Sequence, residues 1–345
     1  MGFIADIQKK YKTVSIVGMA KNAGKTTALN YLLEEAYDEG LRMGVTSTGR
    51  DGETSDLVFE TDKPKVYLFE DTIVTVPEQL FGLAETSLEI LKRTTCRTAL
   101  GQVLLCRVAR SGYVQIAGPG SIMEHKKLCG QMFDQGIDMI IIDGAIDRKS
   151  IADPATSDAI ILSTGAVISR RIKNVVEETV HVVSVYNSPL VEDETLRGIL
   201  EQEDKEVFRI LTVDKDYNVS QVPVRTALGA GPIVNDAIDE DTRFVFIPGA
   251  ITERILDHIS PAKLKQVTIV LPNPTKVFVG ATRWQQLKKM GLHVQVLENI
   301  KVAAVTVNPF SPHGYSFDRD ELLNAVQEAL PGLPVVDVRV GGLDL

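Results

Sequence analysis

The chain has 345 residues, 44% hydrophobic and 24% charged, proportions of a folded globular protein that exclude a disordered, collagenous or coiled-coil chain. With 37 Lys and Arg against 46 Asp and Glu the formal net charge is −9, which argues against nucleic acid or an anionic membrane as the main partner. The three cysteines, Cys96, Cys106 and Cys129, are an odd number without metal-type spacing and suit a reducing cytosol, and the length suits about two domains.

The first residues, MGFIADIQKKYKTVSIVG, lack an apolar core of signal-peptide length, and Asp6 stands where a myristoylation signal has Ser or Thr. The longest apolar runs, near 139–146 and 159–168, are far short of a membrane span. The expected location is cytoplasmic.

In chain order, Thr13–Gly18 (TVSIVG) is a β-branched strand, followed by a helix over Gly24–Glu39 with apolar Leu29, Leu32, Leu33 and Ala36 on one face. Gly40 closes that helix and Arg42–Thr46 forms a second strand. Val103–Val108 and Tyr113–Ala117, separated by Arg110-Ser111-Gly112, predict a hairpin at the sheet edge. Met139–Ile142 and Ala159–Leu162 are wholly apolar, as strands buried on both faces are. This alternation predicts an α/β fold, a doubly wound, mostly parallel sheet over residues 1–165. Residues 166–260 read as its continuation or a linking region, charge-rich at 192–206, with strand candidates Val207–Val213 and Phe244–Ile247. After Ser260-Pro261 the order is strand Val267–Leu271, helix Thr282–Met290, strands Val294–Leu297 and Val302–Val307, helix Asp318–Leu330 and strand Val335–Val340. That βαββαβ string predicts a ferredoxin-like domain over 261–345.

The most informative segment is Gly18, Met19, Ala20, Lys21, Asn22, Ala23, Gly24, Lys25, Thr26 and Thr27, set between the first strand and the first helix. Backbone N–H groups of a Gly-containing turn and the positive end of a helix converge there on an anion, as in a P-loop NTPase. Lys25 would reach the β- and γ-phosphates and the Thr26 hydroxyl would hold Mg²⁺. Gly24 lets the backbone approach a phosphate where a Cβ would obstruct it. The plainer alternatives are a helix N-terminus that happens to read Gly-Lys-Thr-Thr, or a loop that binds nucleotide without hydrolysing it. Five residues separate the two glycines (Met19–Ala23), one more than usual.

With that spacing, the loop resembles those of the dethiobiotin synthetase and cobyric acid amidotransferase branch of P-loop proteins, within the signal-recognition and MinD-like class. The resemblance implies a carboxylate after the second strand and an acidic residue followed by Gly after a later strand, together completing a magnesium site. In Thr46-Ser-Thr-Gly-Arg50-Asp51-Gly-Glu53, Asp51, ahead of Glu53, would hold Mg²⁺ and Arg50 would neutralise phosphoryl charge; otherwise this is a solvated turn. In Met139-Ile-Ile-Ile-Asp143-Gly144, Asp143 would orient metal-bound water, because a bare carboxylate at a buried strand end asks for a cation; otherwise it caps the next segment. Asp147 and Arg148 are candidates for the same face.

The second strand has no lysine at its end, where that branch carries one for its substrate, and a guanine-reading Asn-Lys-x-Asp motif is absent, favouring ATP over GTP. Asn187-Ser188-Pro189 is a candidate base contact, or a turn. Gly118-Pro119-Gly120-Ser121 is a candidate second anion site or neighbour of the phosphates, or a tight turn with Ser121 as helix cap. The ring-rich segment Asn308–Phe317 is a partner surface, a small-ligand site or a packed connection. His125, His181, His258, His293 and His313 are scattered and show no metal cluster or catalytic dyad.

The phrases VGMAKNAGKTTALNYL and MIIIDGAIDRKS together resemble a narrower family, the P-loop subunit encoded beside adenosylcobalamin-dependent lysine 5,6-aminomutase and ornithine 4,5-aminomutase. That resemblance implies a reactivase that works with a MutS-like ATPase partner on a B12-dependent aminomutase, using ATP and Mg²⁺. Lys25, Asp143 and Arg50 would be catalytic, and Thr26, Asp51 and Asp143 would hold the metal. Two other classes stay open: a dethiobiotin-synthetase-like enzyme acting on a small carboxylate or amine, and a nucleotide-gated binding module without turnover. No nucleic-acid or membrane partner is expected, and a homodimer is left open.

Overall fold

The structure, a computed structural model, describes residues 2–48, 66–144, 157–202, 208–224 and 229–338. The protein is mixed α/β and divides into two units, Met1–Thr179 with Val302–Leu345, and Val180–Lys301.

In the first unit the chain lays down β1 (Thr13–Gly18), α1 (Lys25–Asp38), β2 (Met43–Ser47), β3 (Ile73–Pro77), β4 (Leu88–Thr98), β5 (Gly101–Val108), α2 (Ile122–Phe133), β6 (Met139–Asp143) and β7 (Ala159–Gly165). Helix α3 (Ile172–Tyr186) begins in this unit and ends in the second. The second unit holds β8 (Leu211–Asp214), β9 (Val219–Gln221), β10 (Thr242–Phe246), β11 (Thr268–Leu271) and β12 (His293–Val296), after which β13 (Val302–Asn308) and β14 (Val335–Asp337) belong to the first unit again. The larger sheet has nine strands in the order β14-β13-β7-β1-β6-β2-β3-β5-β4. Pairing is parallel from β14 to β3 and antiparallel for β5 and β4 at the edge.

The apolar run of β6 follows from burial on both faces. Met139 and Ile141 pack with Val14, Ile16 and the Leu29, Leu32, Leu33 and Ala36 stripe of α1. Ile140 and Ile142 pack with Ile73 and with Cys129 and Met132 of α2. Each fully buried aliphatic side chain contributes about 1.5–3 kcal/mol relative to exposure. Helix α1 ends as its sequence asks: Gly40 takes φ +70°, Leu41 N–H donates to Ala36 O at 2.8 Å and Gly40 N–H to Tyr37 O at 3.0 Å, satisfying the last carbonyls.

The second unit's sheet runs β9-β8-β10-β11-β12, parallel across β10, β11 and β12 and antiparallel at β8 and β9. It too is covered twice: Ile269 and Leu271 enter one apolar cluster, Val270 the other with Phe246 and Leu211.

Three expectations are corrected. The anticipated hairpin is not formed: Gly101–Val108 pairs with Leu88–Thr98, and Gly112–Val114 pairs with Val66–Leu68 in a separate two-stranded sheet. The ferredoxin-like domain at 261–345 is not formed either. Its four strands exist, but Thr268–Leu271 and His293–Val296 lie in the second sheet while Val302–Asn308 and Val335–Asp337 lie in the first. Periodicity marks a strand without naming its partner, and β13 finds its partner in β7, far back in the chain. Nor is Ser260-Pro261 a domain boundary: Ser260 caps the short helix Pro261–Gln266 inside the second unit. Among the described residues no helix is long and apolar enough to cross a membrane.

Candidate functional site

The loop between β1 and α1 opens at the carboxyl end of an interior strand, beside the central β6, in the crevice where parallel α/β sheets place ligands. Its backbone makes two left-handed excursions, Asn22 at φ +65° and Gly24, the N-cap of α1, at φ +96°. Gly tolerates that region freely and Asn better than most residues. A Cβ on Gly24 would sit 3.0 Å from Asn308 Cβ, and one on Gly18 would sit 3.0 Å from Lys25 Cγ, because the lysine stem lies across Gly18. The loop is held by Met19 N–H to Ser163 O at 2.9 Å and Ala23 N–H to Ala20 O at 3.2 Å. Ala23 is buried, Lys21 and Asn22 are exposed, and Lys25, Thr26 and Thr27 occupy the first helical turn half-buried. The leading N–H groups of a helix have no intrahelical partner, so α1 offers donors and positive potential at this point.

Asp143 arrives from the adjacent strand. β6 pairs with β1 so that Asp143 is opposite Ile16, and with β2 so that it is opposite Ser47. Lys25 Nζ donates to the Gly144 carbonyl and lies 3.9 Å from Asp143 Oδ1, the two side chains being 15% and 28% exposed. The Asp143 carbonyl accepts from Ser47 Oγ at 3.1 Å and from Thr48 N–H at 3.3 Å, which ties the end of β2 to the end of β6. The sequence-derived candidates Gly18–Thr27 and Asp143 are thus brought together. Arg50, Asp51 and Glu53, and likewise Asp147 and Arg148, lie outside the described residues.

Gly118 is pressed against the end of β2: a Cβ there would fall 1.9 Å from Ser47 O. The segment Gly118–Ser121 therefore adjoins this corner, and of its two readings for Ser121 the helix cap is what forms. Ser121 Oγ accepts from Glu124 N–H at 3.3 Å and donates to Glu124 Oε2 at 3.0 Å, capping α2. Behind it His125 is 2% exposed, with Nδ1 3.5 Å from Cys129 Sγ. Burial pushes its pKa down to about 4, against a smaller upward pull from the Ser47 backbone, so the imidazole is neutral at pH 7. Asn187 follows the end of α3 and belongs to the second unit. Among the described residues no three His, Cys, Asp or Glu gather as a metal site.

The sequence marks Asn308 as the start of the ring-rich segment without tying it to this loop. Asn308 ends β13 opposite Gly165. Its Oδ1 accepts from Phe310 N–H at 3.1 Å, which turns Nδ2 toward the Asn22 carbonyl at 3.4 Å. The 308–317 segment continues along the same side: Tyr315 OH donates to Ala166 O, and the Arg170 guanidinium sits 5.1 Å over the Tyr315 ring. A signal was present, since Asn308 is a polar residue ending an apolar strand, as Asp143 is.

Comparison with protein-family models, with curated proteins and with solved structures returns no match. Function is therefore read from the site itself.

Proposed function

We propose that the chain is a P-loop protein that binds ATP with Mg²⁺ and hydrolyses it, serving as a reactivase or chaperone-like subunit for a B12-dependent amino-acid aminomutase. The observation that carries the nucleotide part is the meeting of Lys25, at the head of α1, with Asp143 and Gly144 at the end of the neighbouring parallel strand. The residues suit a polyphosphate and a hard cation. Gly18 and Gly24 leave no Cβ at the two ends of the loop, Lys25 supplies the positive charge, and the Thr26 hydroxyl and Asp143 carboxylate are oxygen donors of the kind Mg²⁺ takes. When bound, Mg²⁺ would offset charge on the transferred phosphoryl group. In this reading Lys25 leaves the Gly144 carbonyl for phosphate oxygens, and Asp143 orients a proton-bearing water or metal ligand. Asn308 touches the loop at Asn22 and offers its amide to a purine.

The reactivase part rests on the resemblance of the loop and of the MIIIDGAIDRKS segment. Its chemistry is coherent: release of a damaged cobalamin requires a conformational change in the target, which nucleotide binding or turnover can bias. Calorimetry with Mg-ATP and Mg-GTP tests binding, and phosphate release with and without an aminomutase and a MutS-like partner tests the role. ATPase activity stimulated by those proteins is the expected result. ATP consumption matched one-to-one by a modified small carboxylate or amine would replace the reactivase reading with a ligase, and no binding of either nucleotide would remove both.

A further inference from the structure

The two chain segments that link the units each grip the loop, one at either shoulder. On the outgoing side, α3 carries Thr179, the last residue of the first unit. Thr179 is fully buried and its hydroxyl lies 2.7 Å from Val175 O, 2.8 Å from Thr164 Oγ1 and 3.6 Å from the sulfur of Met19, the first residue of the loop. A hydroxyl has one proton, so the helix carbonyl and the loop sulfur compete for it while Thr164 donates in return. The Thr179 hydroxyl therefore touches both the body of α3 and the start of the loop. On the returning side, β13 starts at Val302, the first residue back in the first unit, and ends at Asn308. Asn308 donates to the Asn22 carbonyl through Nδ2, and its Cβ lies 3.0 Å from where a Cβ on Gly24 would stand. β13 is also tied to the strand that fixes Met19, since Thr306 Oγ1 donates to Ser163 Oγ at 2.9 Å and Ser163 O accepts from Met19 N–H at 2.9 Å.

We propose that residues 180–301 are the responsive arm of this protein: occupancy of the Gly18–Gly24 loop is transmitted to them through Thr179 and Asn308, both acting as positioning residues. The inference rests on the nucleotide reading above and adds to it where the signal goes. Linkage makes the relation reciprocal, so a partner that engages the arm alters nucleotide affinity by the same factor.

The test uses the full chain and hydrogen–deuterium exchange, with Mg-ATP and Mg-ADP affinities measured in parallel by calorimetry. In the wild type, saturating Mg-ATP should change amide protection by about threefold or more within 180–301, the scale of a modest coupling free energy. In Thr179→Val the outgoing half of that distant change should vanish while ATP still binds and local protection over 18–28 persists. Thr179→Ser, which retains the hydroxyl, should restore the outgoing half of the response, a rescue that a purely structural role would not require. Binding of Mg-ATP with protection confined to 2–179 and 302–338 would overturn the coupling and leave the nucleotide reading intact. Absence of any binding would overturn both.

Discussion

Lys25 on α1 and Asp143 on β6 form an ion pair, Nζ to Oδ1 3.9 Å, in the crevice at the carboxyl end of the larger sheet. They meet because β6 lies in parallel register beside β1, with Asp143 opposite Ile16, and because the loop after β1 folds the helix head back over Gly18. A cation and a carboxylate fixed at one helix N-terminus are what phosphoryl chemistry uses.

Replacing the cation tests the site directly. Lys25→Ala should raise the Kd for Mg-ATP about 100-fold, the effect of removing a charge-assisted hydrogen bond of about 2–3 kcal/mol. Calorimetry checks it, and an unchanged Kd would dismiss the loop as a phosphate site.

Asp143→Asn separates binding from turnover. Steady-state phosphate release should fall about 100-fold while ATP affinity changes less than about tenfold, because the carboxylate acts mainly on the developing charge and the water. Wild-type turnover in this variant would take Asp143 out of the mechanism.

His125 predicts a pH dependence of stability. Its pKa falls from 6.5 to about 4 on folding because burial penalises the imidazolium. Between those values the unfolded chain binds the extra proton, so its contribution is fully present above pH 6.5 and is lost as pH drops toward 4, by about 3 kcal/mol in all. Urea unfolding at pH 7.5 and pH 4.5 should show this loss in the wild type and a shallower one in His125→Leu. Identical pH slopes in the two proteins would exclude the residue as the cause.

Glycines divide by what surrounds them. A Cβ on Gly165 would stand 2.1 Å from the Asn308 carbonyl oxygen, so Gly165→Ala should destabilise by about 1–3 kcal/mol as β7 and β13 are forced apart. Gly130, inside α2 with nothing within 4 Å of an added Cβ, should respond oppositely, Gly130→Ala adding about 0.5–1 kcal/mol. Thermal unfolding should therefore move in opposite directions for the two variants, and a Gly165→Ala protein as stable as wild type would refute the close approach.

Local signals were legible where chemistry and periodicity coincide. The helix stripe Leu29, Leu32, Leu33 and Ala36, the apolar Met139–Ile142 run and the Gly18–Thr27 loop all stand in the structure within a residue or so of their expected bounds. Asp143 was visible because a carboxylate ending a buried strand is costly without a partner. The contact of Asn308 with the loop was not visible, because its neighbour in space, Asn22, is remote in sequence.

The amino-acid sequence by itself determined that this is an α/β chain with strand, Gly-rich loop and helix in the order an anion site needs, since local backbone preference and burial period are written residue by residue. Only the tertiary structure decided which strands share a sheet. It sent Thr268–Leu271 and His293–Val296 to one unit and Val302–Asn308 and Val335–Asp337 to the other. Strand pairing is a contest among apolar edges of similar local pattern, settled by which set buries both faces together. That contest is also what set Asn308 against Gly24 and made the returning strand part of the site.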